Sequence, residues 1–252
     1  MNIKLLVTYD GTLFLGWQES IDGPTIEAAL RQVLEKIYQE PLKLQAASRT
    51  DAGVHAEGQV ANYHTEKHQD LSQLKISLNQ MLPSSIRVLN VSQETDAFHP
   101  TLDVKGKEYH YCISSREIQP PFERHFAWHY PHPIKLDTIR EASTLFLGTH
   151  DFSALCNTTI PRPKTTIRSL TRLEVFEEKG RLRFEVEGNH FLYKMVRNLV
   201  GTLIDVGSGK LSLDSVKGLL ATRDRTGAGI TAPAHGLCLK HVYYQASSDT
   251  RL

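Results

Sequence analysis

The chain has 252 residues, 40 % of them apolar and 23 % charged, with 16 glycines and 11 prolines. This is globular composition, enough for one large domain or two small ones, and it excludes a disordered or fibrous chain. Twenty-nine Lys and Arg face 28 Asp and Glu, a net charge of +1, so nucleic acid would have to be held by a local patch and not by bulk charge.

Ile3–Tyr9 is a short apolar run closed by Asp10-Gly11 and predicts a strand. Pro24-Thr25 opens a helix, with Ile26, Ala29, Leu30, Val33, Leu34 and Ile37 at helical spacing. Leu42, Leu44 and Ala46 alternate, as do residues 59 to 64, which predicts two more strands. Asp70 starts a second helix through Leu74 and Leu78 that stops near Pro83, and Ile86–Val91 reads as a fourth strand. The order β-α-β-β-α-β is that of a split βαβ, ferredoxin-like unit.

The second half repeats that rhythm loosely. Lys107–Ile113 alternates, with Tyr109, Tyr111 and Ile113 on one face. Asp137 is expected to cap a helix carrying Ile139, Ala142, Phe146 and Leu147, with Gly148 at its C-terminal end. Asp151–Leu155 and Arg168–Phe176 look extended, and Lys179-Gly180 turns into the alternating Leu182, Phe184 and Val186. A long amphipathic helix is expected from about His190 to Val206, then a short one from Ser212 and a closing strand over Leu237–Tyr244. The loop around Phe98–Lys105 is the best boundary, giving halves 1–104 and 105–252, each an α/β unit.

Three cysteines, Cys112, Cys156 and Cys238, lie far apart with no CxxC pair, so neither a disulfide framework nor a thiolate zinc site is expected. The N-terminal apolar run is too short for a signal peptide. The longest apolar stretch, Phe191 to Val206, is broken by Lys194, Arg197 and Asp205. A cytoplasmic protein with no membrane contact is the expectation.

Three segments carry possible chemistry. Ala47-Ser48-Arg49-Thr50-Asp51-Ala52-Gly53-Val54-His55-Ala56 lies between two strands and packs a cation, a hydroxyl, a carboxylate and an imidazole into seven positions. Turn chemistry alone accounts for Thr50, Asp51 and Gly53, but a turn has no need of Arg49. A guanidinium beside Asp51 would favour the ionised carboxylate, which suits a nucleophile or base and not an acid. Phe98-His99-Pro100 precedes Lys107 to Tyr111, where Tyr109 and Tyr111 are either core tyrosines or a ring offered to a planar ligand. In Asn189 to Asn198, His190, Lys194 and Arg197 fall at i, i+4 and i+7, a basic helical stripe suited to phosphates or a buried carboxylate. His150-Asp151 lacks a second pair at metal-binding spacing, and the glycines form no GxxxxGK[ST] or GxGxxG pattern, so neither metal nor nucleotide cofactor is expected.

The loop at 48–56 resembles the catalytic loop of the tRNA pseudouridine synthase A family. Five further segments follow in family order: Tyr9 to Thr12 with Gly16-Trp17-Gln18; Phe98-His99-Pro100 with Lys107-x-Tyr109-x-Tyr111; Gly148 to Phe152; Phe191 to Arg197; and Ala232 to Leu237. The resemblance implies an α+β fold of two tandem ferredoxin-like units, mostly antiparallel, meeting at a central cleft. It implies an isomerase that turns uridine into pseudouridine in the tRNA anticodon stem-loop, at positions 38 to 40, as a homodimer without metal or small-molecule cofactor.

Residue by residue, Asp51 matches the nucleophilic aspartate and Arg49 the arginine of its loop. Tyr109 matches the tyrosine beside the target base, Arg197 the helix arginine near the catalytic carboxylate, and Leu237 a position that approaches the base. The carboxylate either adds to C1′ or takes a proton from the sugar, and the sequence does not choose. Phosphate contacts are expected from Lys194, Arg197, Arg162, Lys164, Arg168, Arg223 and Arg225. Three positions depart from the family pattern: Ser48 replaces a usual glycine, Thr101-Leu102 replaces Arg-Phe, and His190 replaces a small residue. The competing readings are a non-catalytic RNA chaperone and a metal hydrolase built on His150-Asp151.

Overall fold

The computed structural model describes residues 1–157 and 163–244. Among these residues the chain forms β1 (Asn2–Tyr9), α1 (Ile26–Tyr38), β2 (Gln45–Ala46), β3 (His55–His64), α2 (Leu71–Met81) and β4 (Ile86–Glu94). There follow β5 (Val104–Ser114), β6 (Trp128–His129), α3 (Leu136–Thr144), β7 (Gly148–Asp151), β8 (Ile167–Glu178) and β9 (Arg181–Gly188). The described residues end with α4 (Met195–Gly207), α5 (Leu213–Thr222) and β10 (Leu237–Tyr244). The fold is mixed α+β and mostly antiparallel. Among the described residues no helix is long and apolar enough to cross a membrane.

Two compact units emerge: residues 1–106 with the chain from 238 onward, and residues 107–237. In the first, β1 pairs antiparallel with both β3 and β4, and β2 antiparallel with β3, which gives the order β4-β1-β3-β2 of a split βαβ unit. β10 adds to the same edge of β3 in parallel, Cys238 opposite His55 and Leu239 opposite Ala56. The closing strand therefore belongs to the first unit, although it follows the second in sequence.

Local signals explain these elements. Thr25 caps α1 by accepting from the Ala28 N–H, and Asp70 caps α2 by accepting from the Gln73 N–H at 2.8 Å. Ile26, Leu30 and Leu34 then bury one stripe of α1. The strand expected over Leu42 to Ala46 shrinks to two residues. Leu42 and Leu44 are buried, but the Leu42 N–H goes to the Glu35 carboxylate at 3.2 Å. Alternation there reports burial and not pairing.

In the second unit β5, β9, β8 and β7 lie side by side, each pair antiparallel, with β6 pairing in parallel with the end of β5. The β8–β9 turn has both Lys179 and Gly180 at positive φ, the geometry that matches strand twist in a two-residue hairpin. Three expectations fail here. Asp137 does not cap α3; it lies in the first turn, the N-cap is Lys135, and the helix stops at Thr144, before Gly148. Ser153–Leu155 is a 3₁₀ turn and not extended, because the Asp151 side chain accepts from the Ser153 N–H at 3.0 Å. The helix expected from His190 begins only at Met195, after Lys194 in the left-handed conformation at φ 58°. Twelve of the thirteen α4 residues are buried, Arg197 being the exception, so the polar stripe of this amphipathic helix, Asn198, Thr202 and Asp205, is buried rather than solvated.

Candidate active site

The loop at 47–54 leaves β2 and re-enters at β3, and it is fastened from beneath by side chains of β1 and β3. Gln59 on β3 is fully buried, and its amide works in both directions on Ser48: the oxygen accepts from the Ser48 N–H at 3.2 Å, and the Nε2 donates to the Ser48 carbonyl at 2.7 Å. The hydroxyls of Tyr9 and Thr50 meet at 2.7 Å, both buried. The Trp17 N–H donates to the Thr50 carbonyl at 3.0 Å, and the Gly53 N–H to the Phe14 carbonyl at 3.2 Å. Two glycines make the approach possible. A Cβ on Gly16, which sits at φ +94°, would fall 2.5 Å from the Thr50 oxygen, and one on Gly11 would fall 2.1 Å from the Val54 oxygen. The Gly11 N–H donates to His55 Nδ1 at 3.1 Å.

Asp51 is thereby held half-buried on a loop whose neighbours are tied to buried neutral groups, while Arg49 is exposed. The segment from Tyr9 to Trp17 does what its lone glycines did not disclose: it is the cradle of the loop. Gln59 was equally hidden in the sequence. The available signal was a long amide inside a strand otherwise fit for burial.

In the second unit Tyr109 lies on β5 opposite Val186 of β9, buried, with the Phe191 ring edge-on to it at 5.0 Å between centroids. Tyr111, two residues on along the same face, donates its hydroxyl to the Pro233 carbonyl at 2.7 Å. Burial drives this phenol well above its ordinary range, with the Arg197 charge pulling the other way. Tyr111 thus supports the turn Ala234–Gly236 that delivers the buried Leu237. Arg197 is fixed to the same stretch: its Nε donates to the Ala232 carbonyl at 2.8 Å, and its own carbonyl accepts from the Ala232 N–H at 3.1 Å. Lys194 sits three residues earlier with its ammonium 5.0 Å over the Tyr193 ring. His190, Lys194 and Arg197 do not form one helical stripe, since only Arg197 is on the helix.

The remaining basic candidates separate by environment. Arg225 is structural: it donates to the Gly229 carbonyl, to Thr231 and to Asn198 Oδ1. Asn198 is the buried hub of that network, also bonded to Leu155 and Asn157, and sequence reasoning passed over it. Arg223 pairs with Asp151 at 3.2 Å, Lys164 is exposed, and Arg168 is half-buried. Arg162 lies outside the described residues. His150 spends its Nε2 on the Leu147 carbonyl at 2.7 Å. Burial pushes the Asp151 carboxyl up, but hydrogen bonds from Thr166 and Ser153 and the charge of Arg223 outweigh it and hold the group below its usual range. Among the described residues Glu108, His110 and Glu185 come close enough to share a cation. Arg172 already bridges the two carboxylates and Arg183 pairs with Glu185 at 2.8 Å, so this is an ion-pair network.

A family model described as tRNA pseudouridine synthase matches residues 5–102 and 142–245. Among curated proteins, tRNA pseudouridine synthase A 2 of Protochlamydia amoebophila is 47 % identical over 247 residues, covering 96 % of this chain and 94 % of that one. The tRNA pseudouridine synthase A of Bacillus pumilus is 40 % identical over 248 residues, covering 97 % and 99 %. That of Clostridium kluyveri is 39 % identical over 243 residues, covering 96 % and 99 %.

Proposed function

Because the chain belongs to the tRNA pseudouridine synthase family, we propose that it isomerises uridine to pseudouridine in the anticodon stem-loop of tRNA, at positions 38 to 40, with the Asp51 carboxylate as the reacting group. The observation that carries the reading is the clamped loop: Gln59 on Ser48 and Tyr9 on Thr50 fix the backbone on the near side of Asp51 with neutral bonds. A nucleophile must be aimed before it reacts, and rigid placement of reacting groups supplies much of the rate.

The chemistry asks for little else. The C1′–N1 bond breaks, C1′ joins C5, the C5 proton leaves and N1 gains one. No atom is lost and no electron is exchanged, so side chains suffice in principle. Asp51 either adds to C1′ or removes a sugar proton. Arg49, in the same loop, and Arg197, fixed by its bond to Ala232, are the cationic groups assigned to this step. A base in a stem is stacked and must swing out, at a cost of a few kcal/mol. Tyr109, already braced edge-on by Phe191, is assigned to receive it, with Leu237 on the supported turn and Lys194 toward the phosphates.

The reading includes a homodimer acting in the cytoplasm. Ile118 and Phe122 are 81 % and 91 % exposed, apolar surface of the kind a second copy covers. The test is direct: purified protein with an unmodified tRNA transcript and a chelator present, followed by mass mapping of pseudouridine. Pseudouridine in the anticodon stem-loop is expected. Binding without any product would leave an RNA chaperone, and activity lost to the chelator would favour the metal hydrolase.

A further inference from the structure

One group of the 48–56 motif has no part in the chemistry above: the imidazole of His55. It opens β3 with only 4 % of the residue exposed, too deep to meet a nucleotide, so it is not an acid or base for the substrate. Its Nδ1 has two neighbours. The Gly11 N–H donates to it at 3.1 Å, and Asp10 Oδ1 stands 3.2 Å away. One nitrogen cannot accept from the first and donate to the second at once. Gly11 is buried and its N–H can only donate. Asp10 Oδ1 is already served by Thr12, whose N–H reaches it at 2.9 Å and whose hydroxyl reaches it at 2.5 Å, and the Asp10 side chain is 40 % exposed to water. Nδ1 is therefore the acceptor, and the ring is neutral with its proton on Nε2.

That acceptor closes a circuit on the loop. The Gly11 carbonyl accepts from the Phe14 N–H at 3.0 Å, and the Phe14 carbonyl accepts from the Gly53 N–H at 3.2 Å. Gly53 then leads through Val54 back to His55. Inside the circuit the Val54 N–H donates to the Asp51 carbonyl at 3.1 Å, which folds residues 51 to 54 into a turn. Every other link is main chain, and the imidazole is the one side chain among them. Gln59 and Tyr9 hold the loop before Asp51; this circuit holds it after.

We propose that His55 is a positioning residue for Asp51, its neutral imidazole latching the turn Gly11–Phe14 onto the far side of the reactive loop. The effect on rate rests on the tRNA-modifying reading above, whereas the latch is a property of the folded chain alone.

The first measurement needs no substitution: the ring nitrogen chemical shifts of His55 in the unaltered protein, by NMR at neutral pH. A proton on Nε2 and none on Nδ1 is expected, and a proton on Nδ1 would overturn the proposal. Two variants then separate latching from packing. In His55→Asn the amide oxygen takes the place of Nδ1 and can accept from Gly11. His55→Gln is nearer the ring in bulk, but it carries its amide outward and leaves the Gly11 N–H without that acceptor. With tRNA as substrate, His55→Gln should lose about tenfold in kcat with KM little changed, and His55→Asn should keep kcat to within about threefold. Amide hydrogen exchange at residues 11–14 and 51–54 should quicken about tenfold in His55→Gln and stay near the original rate in His55→Asn. If packing alone mattered, His55→Gln would do at least as well as His55→Asn in both measurements, and that result would overturn the latch. Failure of the function itself would look different: no pseudouridine from the unaltered protein, with the tautomer and the exchange pattern as expected.

Discussion

The loop bearing Asp51 and the segment bearing Lys194 and Arg197 are held by opposite means. Around Asp51 the fastening is done by neutral side chains from neighbouring strands, Tyr9, Gln59 and the hydroxyl of Thr50, with bare glycines letting the backbones touch. In the second segment the fastening runs largely through main-chain groups: a left-handed turn at Lys194, the Ala232 N–H on the Arg197 carbonyl, and the Ala232 carbonyl accepting from Arg197 Nε. A reacting carboxylate gains from supports that do not compete for its charge.

That contrast can be broken or sharpened by substitution. Asp51 itself apart, the largest effect is expected at the ring proposed to receive the base: Tyr109→Ala should lose activity by about a hundredfold, while Tyr109→Phe keeps most of the stacking and most of the rate. Equal rates for the two in a pseudouridine assay would remove Tyr109 from the site. Next comes the clamp. Gln59→Leu strips Ser48 of both partners inside the core, at about 2 kcal/mol of stability by thermal melt. With the loop loosened, kcat should fall about tenfold while KM changes little; a fall in stability with kcat untouched would make the clamp merely structural.

Lys107 gives a smaller, pH-dependent effect. Burial lowers its pKa to about 8 from the 10.5 of an unfolded lysine. Between those values the unfolded chain binds the extra proton, so raising the pH favours the folded state. From pH 8 to 10 the stability of the protein relative to Lys107→Met, a difference in which the tyrosines common to both cancel, should rise by about 1 kcal/mol per pH unit. A flat difference would contradict the buried ammonium. Smallest of all, Lys194→Gly relieves a left-handed lysine and should leave stability unchanged or raise it by up to about 1 kcal/mol, while tRNA binding weakens slightly. A clear loss of stability would show that the lysine stem carries packing weight.

The first unit was the more legible in sequence. Its helices announce themselves by Thr25 and Asp70, side chains that cap because their oxygens reach the next turn, and its strands by apolar runs and alternation, a signal that misled only over Leu42 to Ala46. The start of α4 was not legible because Lys194 caps with backbone alone, and apolar residues on both sides of it, Leu192 and Met195, mimic an unbroken helical period. The 3₁₀ turn after Asp151 escaped for a similar reason, as one side-chain bond decides it. The motif at 48–56 pointed to the candidate site at once. Its supports did not show, because Tyr9 and Gln59 lie far from it along the chain and only pairing of β1 with β3 brings them close. Likewise β10 reads as the end of the second half but pairs with the first, a long-range choice that no local pattern records.

The central claim is that one carboxylate does the chemistry and the remaining groups aim it. Asp51→Asn keeps the size and the hydrogen-bonding reach of the side chain while removing its charge, so a single-turnover reaction on saturating tRNA isolates the step. Unchanged tRNA affinity with no pseudouridine formed is the predicted result. Turnover above a trace by that variant would contradict the claim.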